Sequence, residues 1–210
     1  GLNRARADLE KEFNAKVLAL WSNAPPVLIT KNKPVTKLSD LQGMKIRVTS
    51  KSDVPFVEAL GASAVAQPVT QINQNLTNGV IDAIMIDPSA IRSFKLHEPA
   101  NYITTWFPGS GSAFALLMNK DVYDGLSDAD RAAIDKVAGP ELALGAGRMY
   151  DKVSAGGMKL AAEKGNKMLE WEPGEREKIE ALIAKSMAGM RSQAVGNSTI
   201  GDVIKMMKGQ

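Results

Sequence analysis

Residues 80–86 read VIDAIMI, and this nearly continuous apolar run restricts the possible folds of the chain more than any other segment. A strand with one face in water alternates apolar and polar residues, so a continuous run predicts a strand buried on both faces. Further strands are predicted at 15–21, 27–30, 44–49 and 64–69, and short helices at 53–60 and 71–78. Strands that alternate with helices in this way predict βαβ units and a largely parallel sheet.

The second half of the chain is mostly helical in pattern. After a predicted strand at 113–119, Ser127 with Asp130 three residues later is typical of a helix N-terminus. The long helical stretch that follows, 128–164, contains Pro140, which predicts a break or kink. A strand at 167–171, an amphipathic helix at 176–190 and a short helix at 201–207 complete the predicted order.

Composition excludes several classes of function. The 26 basic and 23 acidic residues are interspersed, without the basic stripe that favours nucleic-acid binding. The chain has no cysteine, and His97 is its one histidine, so thiol nucleophiles, disulfides, catalytic triads and histidine-rich metal sites are not expected. Nucleotide-binding loops and hydrolase motifs are absent as well. The sequence predicts no catalytic residue, no metal site and no cofactor.

The segment KPVTKLSDLQGMKIRV, residues 33–48, is the most specific motif. It resembles the solute-binding proteins of tripartite ATP-independent periplasmic (TRAP) transporters, the DctP-like family, which carry a pattern of Pro followed by Asp-Leu-x-Gly-x-Lys-x-Arg. Four more elements match in order: residues 60–62, LTNGVIDA at 76–83, FKLHEPANYIT at 94–104 and MNKDVYDGLSDADRAAI at 118–134. Together they cover about half the chain, which makes the resemblance far more specific than one motif would.

The resemblance implies a fold class: α/β, a periplasmic-binding-protein-like two-lobe fold with a cleft between the lobes. Because the family normally begins with further βα units, we expect the first lobe to be incomplete and the long C-terminal helices to be present. Residues 1–30 are expected to be a remnant of the first lobe and the crossover, and 31–112 the second lobe. Residues 113–210 would supply a return strand, a long bracing helix and C-terminal helices shared by both lobes. An exposed sheet edge in the incomplete lobe predicts a possible homodimer.

Arg47 is the first candidate for a ligand contact, because the resemblance places it where the family binds a carboxylate. The physical reason is general: a guanidinium at the end of a strand offers a planar fork of donors that matches a carboxylate in two parallel hydrogen bonds. The alternative is a surface arginine paired with an acidic neighbour.

Six further residues are candidates for the ligand site. Ile86 and Asp87 lie where relatives often place a polar contact; Asp87 would repel a carboxylate, and could instead accept from a ligand hydroxyl, bind a bridging cation, or be a plain loop residue. Trp106 and Phe107 could wall an apolar part of the ligand or be ordinary core. Trp21 and Asn23 could face the cleft from the crossover strand. The segment APPV at 24–27 replaces a second arginine of some relatives, so a monocarboxylate such as a 2-oxo or 2-hydroxy acid is expected.

The sequence therefore predicts a periplasmic solute-binding protein that captures a small organic carboxylate and delivers it to the membrane permease subunits of a TRAP transporter. Two other interpretations stay open. One is a ligand-sensing domain of a regulator with the same architecture. The other is a small α/β enzyme acting on a carboxylic acid, which would need a nucleophile or base near Arg47.

Overall fold

The computed structural model describes residues 6–109, 111–192, 194–195, 198–202 and 205. The strands, numbered in chain order, are β1 (Ala15–Ser22), β2 (Val27–Thr30), β3 (Lys45–Val48), β4 (Ser63–Ala66), β5 (Ala83–Ile86), β6 (Tyr102–Thr104), β7 (Ala113–Asn119), β8 (Lys167–Leu169), β9 (Ala194–Val195) and β10 (Ser198–Thr199). The helices are α1 (Arg6–Phe13), α2 (Val54–Ala59), α3 (Ile72–Thr77), α4 (Ser89–Ser93), α5 (Lys120–Asp124), α6 (Asp128–Val137), α7 (Pro140–Glu163) and α8 (Glu175–Ala188).

A six-stranded sheet in the order β4-β3-β5-β2-β6-β8 forms the centre of the molecule. The pairs β3–β4, β3–β5 and β6–β8 are parallel, as the sequence pattern predicts. Strand β2 runs antiparallel to both of its neighbours, so the sheet is mixed rather than uniformly parallel. The reversal follows from the chain path, because β2 enters the sheet directly from the crossover strand β1 and not through a helix.

Both faces of the six-stranded sheet are covered, which confirms that the run at 80–86 contains a strand buried on both faces. All four residues of β5 are buried. Its side chains alternate between two apolar clusters: Met85 packs with Leu28 and Ile46 on one face, and Ile84 packs with Ile29 on the other. Residues at i and i+2 of a strand share a face, and this rule distributes the core over both sides of the sheet.

Strands β1 and β7 form a separate antiparallel ribbon in which Trp21 pairs with Phe114. Its register is interrupted between Val17 and Ala19, and the carbonyl of the intervening Leu18 accepts a hydrogen bond of 2.7 Å from the amide of Gly139. Most residues of β7 are exposed or half-buried. The ribbon is therefore attached to the helical half of the molecule, and its buried residues come from β1 rather than β7.

The predicted break in the long helix is confirmed. Gly139 adopts φ +93°, a region that disfavours other residues, and Pro140 then begins α7 at a position that needs no amide donor. Helix α7 packs against both α4 and β1, so it joins the two sheets. The short helix predicted at 201–207 lies partly outside the described residues. Within the described part of the chain, no helix combines the length and apolar character of a membrane span.

Candidate functional site

A cleft of about 880 Å³ lies where the carboxyl ends of β3 and β5 meet the start of β2 and the ribbon. Ligands of α/β proteins bind at this end of parallel strands, because the loops that follow the strands converge there. The cleft receives residues from several parts of the chain, among them the crossover after β1, the loops after β3 and β5, helix α4, the start of β7 and the middle of α7.

Arg47 lines the cleft although it is only 3% exposed. Its Nε and Nη2 donate to the carbonyl of Gln67 at 3.1 and 2.9 Å, and Nη1 donates to the hydroxyl of Thr49 at 3.2 Å. These bonds use three of the five guanidinium hydrogens. One hydrogen on each terminal nitrogen has no acceptor among the described residues, so both terminal nitrogens keep a donor that a ligand carboxylate can use.

Burial lowers the pKa of Arg47, and the charge of Asp53 in the same cleft opposes that effect. The guanidinium stays protonated at any physiological pH, because its ordinary pKa lies far above neutrality. Burial raises the pKa of Asp53. A hydrogen bond from the backbone amide of Ser50 and the charge of Arg47 act in the opposite direction. Arg47 is the one cationic side chain among the described residues that line the cleft, and Asp53 and Asp87 are the acidic ones.

An aromatic wall borders the cleft opposite the sheet edge. Phe114 of β7 and Tyr150 of α7 both line it, with ring centroids 5.1 Å apart. Trp21 stacks on Phe114 at 5.8 Å with an interplanar angle of 11°, and it lies 6.5 Å from Tyr150. Trp21 is not among the residues that line the cleft; it supports the wall from behind. The rings of Phe114 and Tyr150, which are tilted by 31° to each other, give this side of the cleft an aromatic surface that suits an apolar ring.

Asp87 and Ile86 reach the cleft from the end of β5. Ile86 is 7% exposed and belongs mainly to the core. One carboxylate oxygen of Asp87, Oδ1, accepts bonds from the amide of Ser89 at 3.1 Å and from the hydroxyl of the same residue. These bonds place Asp87 at the entrance to α4. The structure thus brings Asp87 into the same cleft as Arg47.

Asn23 also lines the cleft, and it joins two crossover segments. Its side-chain Oδ1 accepts a hydrogen bond from the backbone amide of Ser112 at 2.6 Å. The backbone amide of Asn23 in turn donates to the carbonyl of Ser112 at 3.2 Å. With its side-chain oxygen engaged in this way, Asn23 has a structural role at the point where the chain passes from β1 to β2 and returns toward β7.

Trp106 and Phe107 are not among the residues that line the cleft, so the expectation that they wall the ligand is corrected. The amide of Phe107 donates to the carbonyl of Pro26 at 3.0 Å, and its ring is fully buried in an apolar cluster, with its centroid 6.5 Å from that of Trp171. Trp106 receives a hydrogen bond on its carbonyl from Trp171 Nε1 at 2.7 Å, and the Arg176 guanidinium lies 4.4 Å from its ring centroid. These rings attach the start of α8 to the core, the alternative that the sequence left open.

Most of the lining residues were not predicted from the sequence, among them Phe114, Tyr150 and Asp53. Phe114 and Tyr150 come from distant parts of the chain and meet only because α7 packs on the ribbon. Asp53 follows β3 closely, and its proximity to Arg47 after a strand end is the signal that could have identified it. Among the described residues, no group of three or more histidine or acidic side chains could hold a metal ion.

Comparison with known proteins gives one family match: bacterial extracellular solute-binding proteins, family 7, over residues 2–193. Two solved structures are similar over most of the chain. The first is a TRAP solute-binding protein from an unidentified marine microbe, described as specific for aromatic acid ligands and solved with metahydroxyphenylacetate; it is 32% identical, with a TM-score of 0.82 over 90% of this chain and 61% of that one. The second, from Rhodoferax ferrireducens, was solved with copurified benzoate; it is 27% identical, with a TM-score of 0.78 over 86% of this chain and 57% of that one.

A C4-dicarboxylate-binding periplasmic protein of Rhodobacter capsulatus is 29% identical over 120 residues, which is 57% of this chain and 35% of the relative. The chain spans less than half the length of the curated relatives it matches first. The likeness to the solved structures shows the two-lobe α/β fold of TRAP binding proteins. The fold and the family match therefore agree.

Proposed function

The chain belongs to family 7 of the bacterial extracellular solute-binding proteins, the TRAP type, and from this premise we propose that it captures a small organic monocarboxylate in the cleft beside Arg47. Members of this family are binding proteins of transport systems rather than enzymes. The mechanism proposed is capture without chemical conversion of the ligand.

One observation carries the proposal: a nearly fully buried guanidinium that keeps two donors free of described partners at the floor of a cleft. The Gln67 carbonyl and the Thr49 hydroxyl fix the plane of the guanidinium, so little orientation entropy is lost when a carboxylate binds. A carboxylate is the partner that satisfies both free hydrogens at once.

A single carboxylate on an aromatic ring is favoured by the rest of the cleft. A second carboxylate would find no second cation among the described lining residues, and it would meet Asp53 and Asp87. The wall of Phe114 and Tyr150 suits a planar ring. The two similar structures named above hold aromatic acids, which extends the monocarboxylate class from 2-oxo and 2-hydroxy acids such as mandelate to benzoate-like acids.

The cellular location of the protein and its transport partner are also proposed from the family. We place the protein in the periplasm, with delivery of the ligand to TRAP permease subunits after lobe closure. In the proposed division of the chain, residues 1–30 belong to the first lobe and crossover, 31–112 form the second lobe, and 113–210 connect the lobes.

Homodimerisation is a separate proposal, supported by exposed apolar side chains of the ribbon. Leu116 and Leu117 of β7 are 43% and 38% exposed, and exposed strands of this kind pair readily with another chain. Light scattering at two protein concentrations tests it: a dimer that dissociates on dilution is expected, and a monomer at every concentration contradicts the proposal.

Isothermal titration of the purified chain with benzoate, mandelate, pyruvate and malonate tests the proposed function. We expect at least one monocarboxylate to bind and malonate to bind more weakly. Arg47→Ala should weaken binding about 100-fold or more, since truncating one partner of a buried charge pair is costly. Arg47→Lys should recover only part of the loss, because an ammonium lacks the fork.

Arg92→Ala is the matched control, since Arg92 is exposed on α4 and does not line the cleft. Melting temperatures of all variants show whether they fold. Binding that is equal in wild type and Arg47→Ala, or absent for every acid in wild type, contradicts the proposed function.

A further inference from the structure

Asp87 is, with Asp53, one of two acidic residues that line the cleft in the described part of the chain. Binding of a carboxylate by Arg47 gives Asp87 no role. Its strand, β5, is the direct neighbour of β3, and Arg47 pairs with Ile84 in the register. Asp87 lies three residues beyond Ile84, so its Cα is about 10 Å further along the strand direction than that of Arg47. The two charges therefore sit at separate positions of one cleft.

The hydrogen bonds of Asp87 occupy one carboxylate oxygen and leave the other. Both described donors, the amide and the hydroxyl of Ser89, reach Oδ1. Oδ2 has no donor among the described residues, and Asp87 takes part in none of the described ion pairs. A carboxylate accepts about four hydrogen bonds when fully satisfied. The carboxylate of Asp87 is thus held in place by Ser89, and its Oδ2 can still accept hydrogen bonds.

Tyr150 lines the same cleft as Asp87. Burial raises the pKa of Tyr150, and the charge of Asp87 adds to the increase. The phenol therefore stays neutral and keeps its proton. Tyr150 also forms the aromatic wall with Phe114, so a ring that packs on this wall lies in the same cleft as the carboxylate of Asp87.

We propose that Asp87 makes the cleft selective for aromatic monocarboxylates that carry a hydroxyl group, which donates to Asp87 Oδ2 while the carboxylate binds Arg47. This inference rests on the proposed function and names the ligand class of the same site. A hydroxyl satisfies an acceptor that an unsubstituted ring would leave desolvated and unpaired. A second carboxylate in that place is repelled, so isophthalate is excluded where 3-hydroxybenzoate is accepted.

Titration of the wild-type chain with benzoate, 3-hydroxybenzoate, 4-hydroxybenzoate and isophthalate tests the proposal without any variant. At least one hydroxybenzoate should bind about 10-fold or more tightly than benzoate, because a hydrogen bond to a charged acceptor is among the stronger ones. Isophthalate should bind most weakly. Equal affinity for benzoate and both hydroxybenzoates overturns the inference but leaves the proposed function standing; no binding of any acid overturns both.

Asp87→Asn supplies the second arm. Its remaining oxygen can still accept from Ser89, so the start of α4 is preserved, while the group in the place of Oδ2 becomes a donor. The preference for hydroxybenzoate over benzoate should fall to about twofold or less, and isophthalate should gain affinity. Asp151→Asn makes the same charge change on the exposed residue next to Tyr150 and should keep wild-type selectivity. An unchanged hydroxyl preference in a folded Asp87→Asn variant overturns the inference.

Discussion

The six-stranded sheet and the β1–β7 ribbon line the same cleft but are built very differently. In the sheet, Leu28, Ile29 and Ile84 are fully buried, and apolar clusters cover both faces. In the ribbon, β7 is mostly open to solvent, and Leu116 is 43% exposed. The sheet holds Arg47, and the ribbon supplies Phe114. The charge that anchors the proposed ligand thus rests on the best-packed element, and the contact surface for its ring rests on the least-packed one.

This difference assigns separate roles to the two regions: the sheet positions the charged contact, and the ribbon supplies the apolar contact. A bidentate contact requires a guanidinium held in one orientation, and only a close-packed element provides such a support. An apolar wall tolerates small displacements, because dispersion and desolvation do not depend on fine angles. Changes in the sheet should therefore alter the stability of the whole molecule, while changes in the ribbon should alter affinity for particular ligands.

The largest expected effect is on stability, from a leucine pair that compares the two regions. Leu28→Ala removes a fully buried side chain of β2 and should lower the free energy of unfolding by about 2–5 kcal/mol. Leu116→Ala on the ribbon should change it by less than about 0.5 kcal/mol. Urea denaturation followed by circular dichroism measures both. Similar losses for the two variants would contradict the contrast between sheet and ribbon.

The junction between the regions is tested by two adjacent glycines of α7. A Cβ at Gly157 would lie 2.2 Å from the carbonyl oxygen of Pro88, next to Asp87. Gly157→Ala should therefore push α7 from α4 and destabilise the protein by about 1–3 kcal/mol. A Cβ at Gly156 meets nothing within 4 Å, so Gly156→Ala should stabilise the helix by about 0.5–1 kcal/mol. A rise in melting temperature for Gly157→Ala, like that expected for Gly156→Ala, would show that the packing of α7 on α4 is not tight.

The ribbon's role in ligand contact is tested by Phe114→Ala. Removal of the ring that Trp21 and Tyr150 flank should weaken benzoate binding about 10-fold, from lost stacking and apolar area. Pyruvate, which has no ring, should be affected less. Phe13→Ala removes a phenylalanine that is 56% exposed on α1 and serves as the control. An equal loss for benzoate and pyruvate would show that Phe114 supports the fold rather than the ring.

The smallest expected effect concerns Asp53 and pH. Because burial raises its pKa in the folded state, the folded chain binds more protons than the unfolded chain between the ordinary and the raised value, and stability falls as pH rises through that window. Asp53→Asn removes this loss and also removes repulsion of a ligand carboxylate, so benzoate should bind about threefold more tightly at neutral pH. Unfolding and titration at pH 4 and pH 7 test both; a stability difference between the variants that does not change with pH would contradict the assigned effect of burial.

Sequence alone predicted most of the sheet, because its strands carry unmistakable local patterns. The run at 80–86 predicted the doubly buried strand, and Pro140 predicted the helix break. The antiparallel direction of β2 was not predicted, since strand direction depends on the path of the chain and leaves no mark in four apolar residues.

Some residues of the site were likewise predicted from the sequence, and others were not. Arg47 and Asp87 follow from their places at the ends of β3 and β5 within the family motif, and both reach the cleft. For Trp106 and Phe107 the sequence left a ligand contact and a core position open, because the answer depends on their contacts with Trp171, 64 residues further on from Phe107. The wall of Phe114 and Tyr150 depends on the packing of α7 against the ribbon, a contact between distant segments that no local pattern records.

The central claim is that the cleft recognises a carboxylate through Arg47. Titration of the wild-type chain with benzoate and with benzamide tests it most directly, because the two molecules share size and ring and differ in the charge that the guanidinium meets. We predict that benzoate binds about 100-fold more tightly than benzamide, as expected for a buried charged pair. Equal affinity for the two, or tighter binding of benzamide, would contradict the account.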